Sequence, residues 1–186
     1  MKEELRRHFT PLLIIFAVTS IFWIFAKTPW YNFVYLFFGL AWGAFLLDVD
    51  HLIYWLYLNP NTEESRLAQI AYKKSDFISL LKLLESTHKQ HISLIFHHYF
   101  FQVVLAIISI FVFTSSSNIF IKGLILSLNI HLLVDEIEDY RSDKKHLQNW
   151  LFARESKQLS VQFLGKYIIF FAVLCFIFTL LLIKSY

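Results

Sequence analysis

The chain has one cysteine, three prolines and four glycines among 186 residues, and each scarcity removes a class of protein. Cys175 stands alone inside an apolar run, so there is no partner for an intrachain disulfide and no CxxC pair for zinc or dithiol redox chemistry. So few turn formers do not suit a barrel of many short strands. Charge is thin as well. Charged residues make up 17% of the chain, the net charge is +3, and the basic residues are scattered between apolar runs, which argues against a nucleic-acid partner. What abounds is hydrocarbon: 57% of residues are hydrophobic and 21 are Phe, with a mean hydropathy of +0.54. A soluble domain is only about half apolar. Lipid is the implied solvent, and the fold class is all-α.

A bilayer core takes roughly 20 helical residues to cross. Apolar runs predict spanning helices near residues 11–26, 30–58, 91–114, 118–138 and 162–184, five in all. The first follows Arg6 and Arg7 as a signal peptide would, but no small-residue cleavage site precedes Lys27 and Pro29, so it reads as a retained anchor. The second is long enough, roughly 42 Å as a helix, that it must tilt, kink or emerge. Between the second and third runs, Asn-Pro-Asn-Thr-Glu-Glu starts an amphipathic helix at about 63–88, within a surface segment at about 59–90. Its apolar stripe and its Arg66, Lys73, Lys74 and Lys82 suit lipid headgroups; membrane lipids are the one partner class indicated. No repeat or linker divides residues 1–186, which read as a single integral membrane domain.

Orientation follows from Lys and Arg, which accumulate in short cytoplasmic loops. Alternating segments hold fourteen of them on one side, against Lys27, Lys122 and Lys184 on the other. The N-terminus is therefore expected in the cytoplasm and the C-terminus outside, in the plasma (inner) membrane.

Against this background the ionisable residues within the runs stand out, because such groups are costly in lipid and tend to face a bundle interior. Asp48, Asp50 and His51 lie late in the second run, His97 and His98 early in the third, and His131 and Asp135 late in the fourth. With the predicted orientation all three groups fall at the cytoplasmic end. Asp48 and His51 are three apart, His131 and Asp135 four apart, so each pair shares a helix face. Adjacent helical positions point about 100° apart, so only one of His97 and His98 can serve the same centre, with His97 favoured. Imidazole and carboxylate together suit a divalent ion, zinc first, with manganese or iron as alternatives, and such an ion activates water. The candidate ligands are Asp48, Asp50, His51, His97, His98, His131 and Asp135, with Asp48, Asp50 and His131 as the candidate catalytic groups. Glu136 is a further carboxylate beside Asp135, while Glu138 and Asp139 mark where the run meets water. His88 and His91 precede the third run as interface residues, and His8 and His146 have no apparent partners.

Leu-Leu-Asp48-Val-Asp50-His51, the His-bearing third run and Ile-His131-Leu-Leu-Val-Asp135 resemble the YdjM-like membrane-bound, predicted metal-dependent hydrolases, also described as LexA-binding inner-membrane-associated hydrolases. The resemblance covers roughly residues 39–140. It carries over Asp48, Asp50, His51, His131 and Asp135, with His97 standing for the second histidine of a middle motif whose first histidine position is Ile92 here, while Leu47 replaces a proline. It implies a metal-dependent hydrolase, and a site at this depth suits a lipid ester or phosphoester. A di-iron oxygenase would need His-x-x-His-His boxes that are missing, and a lipid phosphatase ending in His-x-x-x-Asp would need Arg and Gly-His elements that are also missing. The non-enzymatic alternative is a metal-binding or proton-handling membrane protein such as a small transporter or assembly factor, although no inverted repeat is visible.

Overall fold

The computed structural model describes residues 2–87, 91–153, 155 and 160–185, with side chains from residue 6 onward. Among these residues every regular element is helical, and there is no strand. α1 is Lys2–Phe25, α2 Trp30–Leu46, α3 Val49–Ile53 (continuing as a π-helical turn, Tyr54–Leu58), α4 Glu63–Lys73, α5 Phe77–Thr87, α6 Tyr99–Ser115, α7 Ile119–Ser142, α8 Lys144–Leu151 and α9 Val161–Ile183. Three stretches are long and apolar enough to cross a membrane: Arg6–Phe25, Trp30–Leu58 and Val161–Ile183. They expose large apolar side chains, among them Phe22, Phe25, Phe37, Phe38, Phe170 and Phe176, as lipid-facing helices do. α6 is apolar but shorter. α7 is the central helix, and Lys122, Asn129, His131, Asp135 and Glu136 are all buried along it.

Three local outcomes differ from the sequence expectations. The amphipathic segment is two helices, because Ser75 takes a left-handed φ of 53° and breaks the run between α4 and α5. Thr62 caps α4 by accepting the Ser65 amide at 3.2 Å, as the Thr-Glu-Glu start suggested. The third apolar run becomes helical only at Tyr99, since His98 is extended and its Nδ1 accepts the Phe100 N–H at 3.3 Å as an N-cap. His97 and His98 thus precede α6 instead of lying in it. The long second run does kink. At Leu47–Asp48 its hydrogen bonds tighten, Asp48 N–H reaching Phe45 O at 3.1 Å and His51 N–H reaching Asp48 O at 3.1 Å. α8, capped by Asp143 on the amides of Lys145 and His146, was not foreseen.

Helix directions can be read from side-chain pairs. Ser127 Oγ donates to Leu40 O at 2.7 Å and His131 meets Ala44 O at 2.8 Å, both 87 residues apart, so α2 and α7 run parallel. Asn129 Nδ2 donates to Ser109 Oγ at 2.9 Å while Gln102 faces Glu136, which makes α6 antiparallel to α7. Gly165 lies against Tyr140 and Lys122 Nζ donates to Ser185 Oγ at 2.7 Å, so α9 opposes α7; His8 meets Asp135 while Trp23 at the other end of α1 donates to Ile183 O of α9, so α1 opposes α7 as well.

The α2–α7 crossing depends on small residues. A Cβ at Gly43 would sit 2.5 Å from Ser127 Cβ, one at Gly39 would run into the Phe120 carbonyl, and one at Gly123 would lie 3.1 Å from Leu36 O. Small residues four apart let membrane helices approach backbone to backbone. Replacing Gly43 by Leu should overpack this contact and cost about 1–3 kcal/mol, measured as a lower thermal midpoint in mild detergent. A midpoint equal to the parent's would contradict the close crossing.

Candidate metal centre

The kink at Leu47–Asp48 removes Ala44 O from the helix ladder, because the Asp48 amide turns to Phe45 O. His131, 1% exposed, uses that carbonyl: its Nδ1 lies 2.8 Å away. A carbonyl only accepts, so Nδ1 carries the proton and Nε2 is left with the lone pair. Nε2 lies 3.3 Å from Asp135 Oδ2 and 3.7 Å from Asp48 Oδ1. His97 Nε2 comes within 3.7 Å of Asp135 Oδ2 from the segment before α6. On its other edge, His97 Nδ1 lies 3.3 Å from Asp50 Oδ2, which also accepts the Phe96 N–H at 2.5 Å. Asp50 therefore holds the His97 Nδ1 proton and leaves Nε2 unprotonated toward Asp135. Carboxylate or carbonyl behind a ligating imidazole is the usual orienting arrangement at metal sites.

These separations suit an ion. Four ligands at 2.0–2.1 Å around a tetrahedral centre lie about 3.3–3.4 Å from one another; here the His131–Asp135 contact is 3.3 Å and the His131–Asp48 and His97–Asp135 contacts are 3.7 Å. His8 joins from α1: its Nε2 is 3.4 Å from Asp135 Oδ1, and His8, His131 and Asp135 each bring a ligand atom within 4.8 Å of the others. Its ring stacks on His131 with centroids 4.0 Å apart and planes 20° apart. His8, His131 and Asp135 are thus the residues that would hold an ion.

Of the sequence candidates, His131 and Asp135 thus share one centre, with Asp48 next to His131 and His97 next to Asp135. Asp50 stands one step behind, on His97. His51 does not share the cluster, because Asp48 and His51, although on one helix face, are about 4.5–6 Å apart along the axis: Asp48 reaches back to His131, and His51 Nδ1 meets His91 Nδ1 at 2.6 Å. His98 is engaged as the α6 cap. Glu136 is fully buried and faces Gln102 instead of the cluster. His146 does have a partner, Asp139 at 3.5 Å, and His88 lies outside the described residues. His8 is the member that sequence reasoning missed. Its signal was position: it lies near the start of the first apolar helix, the end that the Lys and Arg count predicts to share a side with the other groups.

A second chain of groups leads away from the centre. His91 Nε2 lies 3.4 Å from Glu64 Oε1 on α4, and its ring stacks on Tyr54. Burial lowers the His91 pKa to about 4 and pushes Glu64 up. Neutral His91 has one ring proton; on Nε2 it faces the Glu64 carboxyl at 3.4 Å. With the proton so placed, the 2.6 Å Nδ1–Nδ1 contact needs its proton from His51, which leaves the His51 lone pair on Nε2. The His51 ring is 5.6 Å from that of His97.

No family model, curated protein or solved structure matches this chain. The geometry is therefore what bears on function. Two results are expected. His97→Ala should reduce bound divalent ion in metal analysis, whereas His98→Ala should keep the ion and lose about 1 kcal/mol of stability with its cap; loss of the ion in both alike would contradict the assignment of His97. Glu64→Leu should move the His51 and His91 ring protons, seen in 15N imidazole shifts, and Glu64→Gln, which still offers an acceptor oxygen, should not. Unmoved shifts in Glu64→Leu would refute the tautomer assignment.

Proposed function

We propose that this chain is a polytopic membrane hydrolase of about five spanning helices, whose Asp/His centre at the cytoplasmic ends of α2, the segment before α6, and α7 holds a divalent metal ion, zinc first. The observation that carries it is the grouping of His8, His131 and Asp135, whose ligand atoms all lie within 4.8 Å of one another, with Asp48 beside the fixed lone pair of His131 and His97 beside Asp135. The parallel pair α2 and α7, opposed by α1, α6 and α9, is the pattern of five successive crossings. The fourteen-to-three Lys and Arg count supports a cytoplasmic N-terminus and an outside C-terminus. α4 and α5 then lie on the cytoplasmic leaflet. Ligand-motif resemblance supports the YdjM-like hydrolases as the reaction class, and no LexA association is carried over.

A bound ion would polarise an ester or phosphoester and activate water. The chain's own groups hold the arrangement: Ala44 O and Asp50 fix the two imidazoles. Side-chain exposure is 32% for Asp48, against 0% for His131, 4% for His97 and 8% for Asp135, so Asp48 is the side from which a reactant reaches the centre. A catalytic site keeps such an opening, whereas a structural one is closed.

One observation favours a second reading, a proton-handling membrane protein: Glu136, Gln102 and Tyr167 form a buried polar group between α7, α6 and α9, with Tyr167 hydrogen-bonded to Gln102. Protein purified in mild detergent separates the two. The hydrolase reading expects about one divalent ion per chain and metal-dependent cleavage of generic ester or phosphoester substrates, both lost in an Asp48→Asn, His131→Ala double variant. Bound metal with no cleavage of either substrate class would favour the non-enzymatic reading, and the absence of both metal and cleavage would remove the hydrolase and leave the proton-handling protein.

A further inference from the structure

A cavity of about 560 Å³ opens where the first turns of α1 meet the last turns of α7, lined by Arg7, Val134, Ile137, Glu138, Arg141 and Ser142. Both helices also build the metal centre. His8 follows Arg7 in the chain, and Glu138 lies three residues beyond Asp135, about 4.5 Å along the helix. The cavity thus begins one turn from the His8–Asp135 contact. Among the described residues that line it the charge is uneven: two guanidinium groups face one carboxylate. Glu138 pairs with Arg7, and among the described residues Arg141 has no carboxylate partner. Val134 and Ile137 supply an apolar wall beside these charges.

We infer that this cavity binds the phosphate of an amphiphilic phosphoester, with Arg141 as its main anchor and Arg7 as a second donor shared with Glu138. The inference rests on the hydrolase reading and narrows its substrate class from esters in general to phosphoesters. A neutral ester leaves the excess guanidinium unmatched. A phosphate offers it two oxygens in the planar, bidentate geometry that arginine prefers, while the apolar wall takes the beginning of an acyl chain.

The test measures binding, not turnover. Dihexanoyl phosphatidic acid, neutral dihexanoylglycerol and inorganic phosphate are titrated calorimetrically into protein purified in an uncharged detergent. Saturable binding is expected for the phosphatidic acid and not for the diacylglycerol. Arg141→Ala should weaken it about tenfold or more, the scale of a lost charge-assisted pair, and Arg141→Lys should weaken it less. Lys184→Ala, an exposed basic change at the opposite end of the bundle, should leave it unchanged. Competition by inorganic phosphate at similar concentrations would identify the free anion as sufficient; binding of the lipid alone would identify the headgroup together with its chain. Equal binding of the neutral analogue, or equal weakening in Arg141→Ala and Lys184→Ala, would overturn the proposal. Metal content is measured on the same samples: absence of the ion with Arg141-dependent binding intact defeats the metal-centre reading alone, and a full complement of ion with no Arg141 dependence defeats the phosphate pocket alone.

Discussion

The contact between Ala44 O and His131 Nδ1 depends on two features that are far apart in the sequence. The backbone of α2 must approach α7 closely, which Gly39 and Gly43 permit against Gly123 and Ser127. The helix must also tighten at Leu47–Asp48, so that its own amide no longer claims the Ala44 carbonyl. Together they give a buried carbonyl without a helical partner and an imidazole at the right height to take it. The rest of the centre follows from that bond. With the Nδ1 proton fixed there, the His131 lone pair faces Asp135 and Asp48, and His8 is brought over the ring. A bulkier side chain at either glycine would act on the centre without touching a ligand.

The same logic explains why so many ionisable groups are gathered at one end of an apolar bundle. Each buried carboxylate or imidazole is costly alone, by several kcal/mol in lipid for a charged group. Here each is backed by another: Asp50 behind His97, Ala44 O behind His131, and Glu64 behind His91 behind His51. The last chain reaches α4, one of the surface helices. α4 is thus joined to the centre through side chains as well as through apolar packing around Tyr54, Trp55, Ala68 and Ala71.

The spacing of apolar runs made the helical class and the main helices legible, and the pairing of His131 with Asp135 was legible because an i, i+4 relation survives in any regular helix. Other features were set by local geometry that spacing does not encode. Asp48 and His51 share a face yet serve different partners, because axial height decides which neighbouring group each meets. The split between α4 and α5 occurs at Ser75, a residue that sequence patterns do not mark for a left-handed turn. His97 was expected on a helix, but His98 caps that helix and leaves His97 free to turn its two nitrogens toward two different aspartates. His8 was overlooked because it precedes the first apolar run and has no polar neighbour of the same kind in sequence. The Gly39-x-x-x-Gly43 spacing was readable as a close helix contact, and it is what sets the height of His131.

The distribution of exposure around the centre bears on what kind of site it is. A purely structural ion is enclosed by ligands that are all buried and all held by the fold. His131 and His97 meet that description, being locked by hydrogen bonds on their far edges. Asp48 does not: it sits at the kink, its side chain is about one-third exposed, and the cavity that contains Arg7 and Arg141 lies one turn beyond Asp135. Rigid imidazoles on one side and an accessible carboxylate on the other leave room for a changing ligand without disturbing the fixed ones. This asymmetry is what the proposed hydrolase requires: fixed imidazoles that stay in place and an accessible carboxylate beside them, on the side where apolar helix surface gives way to Arg7 and Arg141.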